Sequence, residues 1–136
     1  MTGTTALILY VLWTILLALS YATYRLPLVL TGSKKASHWE RGNAVDDPAI
    51  LVRAKGAHLN SLENLPLFAA LVLVAVATGQ ESVVNGVAAI IIGARVLQGI
   101  VHMIGTSFIL VFIRATCFLV QMALMIYIGV SLLGGV

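Results

Sequence analysis

Four long apolar runs alternate with short polar segments along the chain. The runs occupy residues 5–30, 48–78, 83–104 and 108–133, and a helix of about 20 apolar residues is enough to cross a bilayer. Glycine-containing turn signals separate them. The pattern predicts an all-α protein: an integral membrane four-helix bundle that forms a single domain over residues 1–136.

Composition supports a membrane protein over a soluble one. Of the 136 residues, 60% are hydrophobic and 10% charged, and the mean hydropathy is +1.05, whereas about a quarter of the residues are charged in a soluble domain. The net charge of +3 comes mainly from basic residues in one loop, so we expect no nucleic-acid partner. Cys117 alone cannot form an internal disulfide, and the three scattered histidines predict no metal site.

The first apolar run has a competing interpretation as a secretory signal, with a small-residue cleavage site around residues 18–22. However, no Lys or Arg precedes the run, and it is longer than the core of a typical signal. We therefore predict a retained transmembrane helix. Tyr21, Tyr24 and Arg25 mark its end, because aromatic rings and long cations favour the membrane interface.

Residues 31–47 form the only sizeable polar segment. Between Arg25 and Lys55 there are six basic residues and three acidic ones. Because loops rich in Lys and Arg stay in the cytoplasm, this segment is predicted to be cytoplasmic, with both chain termini on the opposite side.

Polar side chains interrupt the membrane helices at related depths. Asn60, Glu63 and Asn64 stand three and four residues apart on the second run. Unpaired polar groups cost several kcal/mol in hydrocarbon, so these side chains require partners. The polar residues expected to converge in the cytoplasmic half of the bilayer are Arg53, Asn60, Glu63, Arg95, Gln98, His102 and Arg114.

The charged members of this set have alternative roles. Glu63 and Arg95 are predicted to form a structural ion pair that locks the second helix to the third. Arg114 has no second acid on the helices, so it either snorkels to the interface or faces an anionic ligand. His102 taken alone is more typical of an interfacial histidine than of a catalytic one. Together the side chains favour a cationic pocket that holds a water-soluble anion beside a lipophilic partner from the bilayer.

The second helix carries a recognisable motif. Arg53, the segment Ala-His-Leu-Asn-Ser-Leu-Glu-Asn at 57–64 and Pro-Leu-Phe at 66–68 resemble the signature of the MAPEG family, the membrane-associated proteins in eicosanoid and glutathione metabolism. Arg95 after Ala94 is similar to the family pattern on the third helix, and the resemblance covers the whole chain. It implies a homotrimer that binds glutathione between neighbouring subunits from the cytoplasmic side.

The resemblance also implies roles for individual residues. Asn60 and Glu63 would hold the polar ends of glutathione, Arg95 would brace Glu63, and Arg114 would stabilise the thiolate as the catalytic residue. A cation beside a thiol favours the thiolate, which is the nucleophile. The residues implied to bind glutathione are Arg53, Asn60, Glu63, Gln98 and His102.

The chain departs from the family pattern at three places. Gly56 stands where many relatives carry a basic residue, and Gln98 and His102 stand where established enzymes often have His and then Tyr. The segment from His102 to Arg114 is longer than in some relatives. These departures affect the expected contacts to glutathione more than the fold.

Three functional hypotheses follow. The first is a glutathione-dependent transferase or peroxidase that acts on lipophilic electrophiles, with glutathione or another small thiol as co-substrate. The second is a non-catalytic membrane scaffold of the same fold that binds a lipid or a small anion. The third is a small proton-linked transporter that uses Glu63 and His102, which is disfavoured because the chain lacks an internal repeat.

Overall fold

The computed structural model describes residues 1–135, which form helices and contain no strand. Its α-helices are α1 (Gly3–Leu30), α2 (Ala49–Ala77), the short α3 (Glu81–Asn85), α4 (Ala88–Ile104) and α5 (Phe108–Leu133), and a 3₁₀ helix at Ala36–Trp39 lies between α1 and α2. The predicted all-α class is thus confirmed. The last residue of the predicted domain, Val136, lies outside the described residues.

Three of the helices are long and apolar enough to cross a membrane. They are α1, α2 and α5, with 28, 29 and 26 residues. Helix α4 is apolar but has only 17 residues, roughly 26 Å at 1.5 Å per residue. By length and composition, the described residues therefore contain three candidate spans, where the sequence pattern predicts four.

The predicted third helix, residues 83–104, is divided in the structure. Gly86 and Val87 separate α3 from α4, and Val87 has φ −121° and ψ −4°, outside the helical range. A glycine weakens a helix by about 1 kcal/mol relative to alanine. In addition, the side-chain oxygen of Asn85 accepts a hydrogen bond of 2.7 Å from the N–H of Gly3. This bond ties the end of α3 to the beginning of α1, and the chain starts a new helix after it.

The bundle core lies where α1, α2, α4 and α5 meet. Fully buried side chains from the four helices include Tyr10, Phe68, Ile91 and Ile128. A polar seam crosses the contact between α1 and α2: Thr14 and Ser61 hydroxyls are 2.8 Å apart, and the Tyr10 hydroxyl donates to the Ser61 carbonyl. Hydrogen bonds of this kind join helices inside a membrane, where burial of apolar surface provides little driving force.

Helices α1 and α4 approach closely at one glycine. A Cβ atom built at Gly99 would lie 2.7 Å from a ring carbon of Trp13, which is shorter than any real contact. The absence of a side chain at Gly99 therefore allows the indole ring to pack directly on the α4 backbone.

The segment between α1 and α2 is folded onto the helix ends. Asp47 accepts hydrogen bonds from Arg25 Nε and Nη2, at 2.9 and 2.6 Å, and from the indole N–H of Trp39. The Arg25 guanidinium also lies 5.1 Å from the ring centres of Tyr21 and Trp39. These contacts therefore attach the end of the segment that precedes α2 to the end of α1.

A second carboxylate organises the outer part of this segment. Asp46 accepts hydrogen bonds from Lys34 and His38. These two bonds lower the pKa of Asp46 from 3.8 to about 2.

Candidate functional site

A cavity of about 260 Å³, with polar and apolar walls, opens between α2, α4 and α5. Its polar lining consists of Asn60 from α2, Gln98 from α4 and Arg114 from α5, each from a different helix. The apolar lining residues are Val111, Ala115 and Phe118. We call this space the Arg114 cavity. It brings together three of the residues that the sequence predicted to share a pocket.

Arg95 lies directly behind the cavity. Its side chain is 2% exposed, and its Nη1 atom donates a hydrogen bond of 2.6 Å to Oδ1 of Asn60. The guanidinium carbon lies 5.1 Å from the ring centre of Tyr10, a geometry that favours a cation–π interaction. Nε and Nη2 have no hydrogen-bond partner in the described residues. Arg95 therefore contacts the cavity through Asn60.

Glu63 and Arg95 form no ion pair within the described part of one chain, so the predicted pair is absent there. The ion pairs in residues 1–135 all lie at the loop end of the bundle. Glu63 is two residues beyond the buried Ser61, about 200° around α2, and is exposed on the outer face of the helix. Asn60 lies on the flank of the buried face, so Asn60 reaches Arg95.

Gln121 is a buried polar residue that the sequence reasoning missed. It is fully buried on α5, and its Nε2 atom donates to Oε1 of Gln98 at 3.0 Å and to the Cys117 carbonyl at 2.8 Å. A glutamine in the middle of an otherwise apolar helix was the available signal, because such a group requires a partner in the membrane. Gln121 donates a hydrogen bond to Gln98 from the interior of the bundle, in the same way as Arg95 donates one to Asn60.

Arg53 and His102 lie together near the end of α4 that faces the connecting segment. Arg53 Nε donates a hydrogen bond of 2.8 Å to the carbonyl of Met103. His102 packs against Gly56: its Nε2 atom would lie 3.1 Å from a Cβ atom at that position. Because Gly56 has no side chain, the imidazole can lie directly over the backbone of α2.

The site is cationic. Within residues 1–135, Arg53, Arg95 and Arg114 have no acidic partner. None of the residues that line the Arg114 cavity is acidic. A group of buried or half-buried cations without counterions is suited to an anion, which would offset their charge. No cluster of metal-binding side chains occurs among the described residues.

Comparison with known sequences agrees with the motif on α2. The sequence profile of the MAPEG family matches residues 3–134, nearly the whole chain. Searches of curated proteins and of solved structures give no significant match. With its three candidate membrane spans and this family match, the chain is a multi-pass membrane protein. It belongs to the MAPEG family.

Proposed function

We propose that this protein is a membrane-bound glutathione-dependent transferase or peroxidase that acts on lipophilic electrophiles. The observation that carries the proposal is the Arg114 cavity, where an arginine without an acidic partner faces the same space as two carboxamides. Membership of a family connected with glutathione supports the choice of ligand. Glutathione would be a co-substrate bound in each turnover.

Arg114 is the proposed catalytic residue. A guanidinium within a few ångströms of the glutathione thiol stabilises the thiolate over the neutral thiol, and the thiolate is the nucleophile. In the transferase reaction on an aryl halide, the sulfur–carbon bond forms, the carbon–halogen bond breaks and the halide leaves. Arg114 would hold the sulfur in its anionic form before this step.

The other predicted binding residues would contact different groups of glutathione. Asn60 and Gln98 would donate to acceptor atoms of the peptide inside the cavity. Arg53 and His102, which lie nearer the connecting segment than the cavity does, would bind a carboxylate. Glu63 is exposed on the outer face of its own chain, and a carboxylate there requires a partner inside a membrane. We propose that Glu63 faces a neighbouring subunit and receives the glutathione ammonium at that boundary.

This role of Glu63 agrees with a homotrimer in which each site lies between two subunits. Exposed leucines flank Glu63 on α2, at positions 59, 62 and 67, and would pack against the neighbour. We also infer that α3 and α4 together form the fourth span of a single domain. In that arrangement the basic segment 31–47 is cytoplasmic and both termini lie on the other side, as the positive-inside rule indicates.

The lipophilic substrate has an apolar approach to the sulfur. A groove of about 370 Å³ between α2 and α5 includes Leu67, Leu71, Met122 and Ile126. Met122 lies one helical turn from Phe118, which lines the Arg114 cavity. An electrophile that partitions into the bilayer could enter this groove sideways and place its reactive carbon near the thiolate.

The experiment is a conjugation assay on the purified full chain in detergent or nanodiscs, with glutathione and a generic aryl halide. We expect saturable glutathione binding and conjugation above the uncatalysed rate in the native protein. Arg114→Gln should reduce conjugation at least a hundredfold, because it removes charge stabilisation of the nucleophile. Arg41→Gln, in the exposed part of the connecting segment, is the matched control and should retain full activity. An intact oligomer that neither binds glutathione nor conjugates the halide would refute the proposal.

A second candidate function is a non-catalytic scaffold that binds an anionic lipid or another small anion. The observation in its favour is Gly56, which carries no basic side chain. The imidazole of His102 occupies the space that a side chain at this position would need. Under this alternative, anionic lipid should raise the unfolding temperature of the protein, whereas glutathione should not. Stabilisation by glutathione at concentrations near its Kd would contradict the alternative.

A further inference from the structure

We propose that the Arg114 cavity presents only hydrogen-bond donors to its ligand, and that Arg95 and Gln121 impose this property from behind. The inference rests on the proposed function and defines which part of glutathione the cavity receives. It concerns the orientation of two carboxamides, Asn60 and Gln98. Each has one acceptor end and one donor end, and either end can point into the cavity.

The orientation of Asn60 follows from the chemistry of its neighbour. Arg95 Nη1 lies 2.6 Å from the side chain of Asn60, and a guanidinium has donors but no acceptor. The atom of Asn60 that meets Arg95 must therefore be its oxygen. The NH₂ group of Asn60 has no partner in residues 1–135 and remains for the cavity that Asn60 lines.

The orientation of Gln98 follows in two steps. Gln121 contacts the backbone carbonyl of Cys117 at 2.8 Å, and a carbonyl only accepts, so that end of Gln121 must be its NH₂ group. The same NH₂ group lies 3.0 Å from the side chain of Gln98, whose facing atom must then be its oxygen. The NH₂ group of Gln98 is left for the cavity, like that of Asn60.

The cavity therefore prefers an anionic ligand group to a cationic one. Its polar groups are the NH₂ groups of Asn60 and Gln98 and the guanidinium of Arg114, all donors, and the rest of its lining is apolar. A thiolate or a carboxylate accepts from all three. An ammonium group has no hydrogen-bond acceptor in the cavity and is repelled by the positive charge of Arg114. The cavity thus selects an anionic group of glutathione, the thiolate or a carboxylate, and excludes its ammonium group, and Arg95 and Gln121 act as positioning residues.

A double-mutant cycle tests the role of Gln121. Gln121→Met keeps the volume of the side chain and removes its hydrogen bonds, whereas Gln98→Met removes the donor in the cavity itself. We expect each single variant to raise the Kd for glutathione about tenfold, as for one lost bond to a charged group. If Gln121 acts through Gln98, the double variant should bind no more weakly than Gln98→Met alone. Independent, multiplying effects, or an unchanged Kd in Gln121→Met, would overturn the inference.

Thr14→Val is the matched control for a lost buried hydrogen bond. Thr14 is buried in the α1–α2 contact, bonds to Ser61 and does not line the cavity. It should leave the Kd for glutathione within about twofold of the native value.

A second measurement requires no variant at Gln121 and does not depend on glutathione. Acetate and acetamidinium have nearly the same shape, but acetate offers two acceptors and acetamidinium only donors. Saturation-transfer NMR on the native protein in nanodiscs should detect acetate binding that is lost in Arg114→Gln, and no acetamidinium binding that depends on Arg114. If glutathione fails to bind while acetate shows this pattern, the proposed function fails and the donor-only cavity stands. Equal binding of the two probes, or binding of neither, would overturn the donor-only cavity.

Discussion

Arg95 donates a hydrogen bond of 2.6 Å from Nη1 to Oδ1 of Asn60, and this contact joins the interior of the bundle to its cationic cavity. The guanidinium is almost fully buried and has no acidic partner within the described chain. Its other interactions are with the face of the Tyr10 ring. Asn60 therefore has two functions: it satisfies a buried cation on one side and lines the cavity on the other.

The first prediction concerns this bond. Asn60→Leu should lower the free energy of unfolding by about 3 kcal/mol, because it leaves a buried guanidinium with no hydrogen-bond acceptor. It should also weaken glutathione binding. Equilibrium unfolding in mixed micelles measures the first effect and calorimetric titration the second.

Asn43→Ala is the control for this prediction. Asn43 makes an exposed hydrogen bond to the Ser37 carbonyl in the connecting segment, so its loss should change the free energy of unfolding by less than about 0.5 kcal/mol. A similar effect of the two substitutions would show that Arg95 does not depend on Asn60.

The second prediction compares two glycines on α4. Gly99→Ala should destabilise the protein by about 1–3 kcal/mol, because the new Cβ atom would collide with the Trp13 ring. Gly93→Ala meets no atom within 4 Å and should be neutral or stabilising by up to about 1 kcal/mol, since alanine favours a helix. Thermal unfolding of both variants in the same detergent measures the difference. The opposite order would contradict the close packing of α1 on α4.

The third prediction concerns the two adjacent aspartates of the connecting segment. Asp47→Asn removes the acidic partner of Arg25. Both side chains are largely buried: that of Asp47 is 2% exposed and that of Arg25 is 13% exposed. Breaking a buried pair is costly, so the segment should detach and trypsin should cut faster after Lys34, Lys35 and Arg41. Asp46→Asn, whose side chain is 61% exposed, should accelerate cleavage much less. Equal cleavage of the two variants would show that Asp47 does not anchor the segment.

The fourth prediction is a pH effect. Because hydrogen bonds from Lys34 and His38 lower the pKa of Asp46 from 3.8 to about 2, these contacts stabilise the segment above about pH 4 and are lost as the pH falls through about 2. Pepsin, which is active in acid, should cleave near Trp39 increasingly over this range. Asp46→Asn should show already at pH 4 the modest excess of cleavage that the native protein reaches near pH 2, with a weaker further rise. A native profile identical to that of the variant would contradict the contribution of Asp46.

The sequence predicted the fold better than it predicted side-chain partners. Long apolar runs define α1, α2 and α5 because hydrocarbon requires continuous helices of a minimum length. The interruption at Gly86 was missed, because one glycine in an apolar run is compatible with either a continuous helix or a break. What favours the break is the contact between Asn85 and Gly3, which is 82 residues away in the sequence.

For the site, depth and helix face were enough to bring Asn60, Gln98 and Arg114 together, since the three lie at similar heights on neighbouring helices. They were not enough to choose the partner of Arg95. Asn60 and Glu63 are three residues apart, and only the rotation of α2 against α4 determines which one reaches the guanidinium. A glutamine in an apolar helix signals that a partner is required, but the identity of that partner, Gln98, comes from a contact between helices that no local pattern records.

Ultraviolet difference absorbance measures directly whether Arg114 stabilises a glutathione thiolate. Glutathione is titrated into the purified oligomer, into Arg114→Ala and into the control Arg41→Ala. We expect a saturable thiolate signal in the native protein and the control, and its loss in Arg114→Ala. Glutathione binding without a thiolate signal, or a signal that persists in Arg114→Ala, would contradict it.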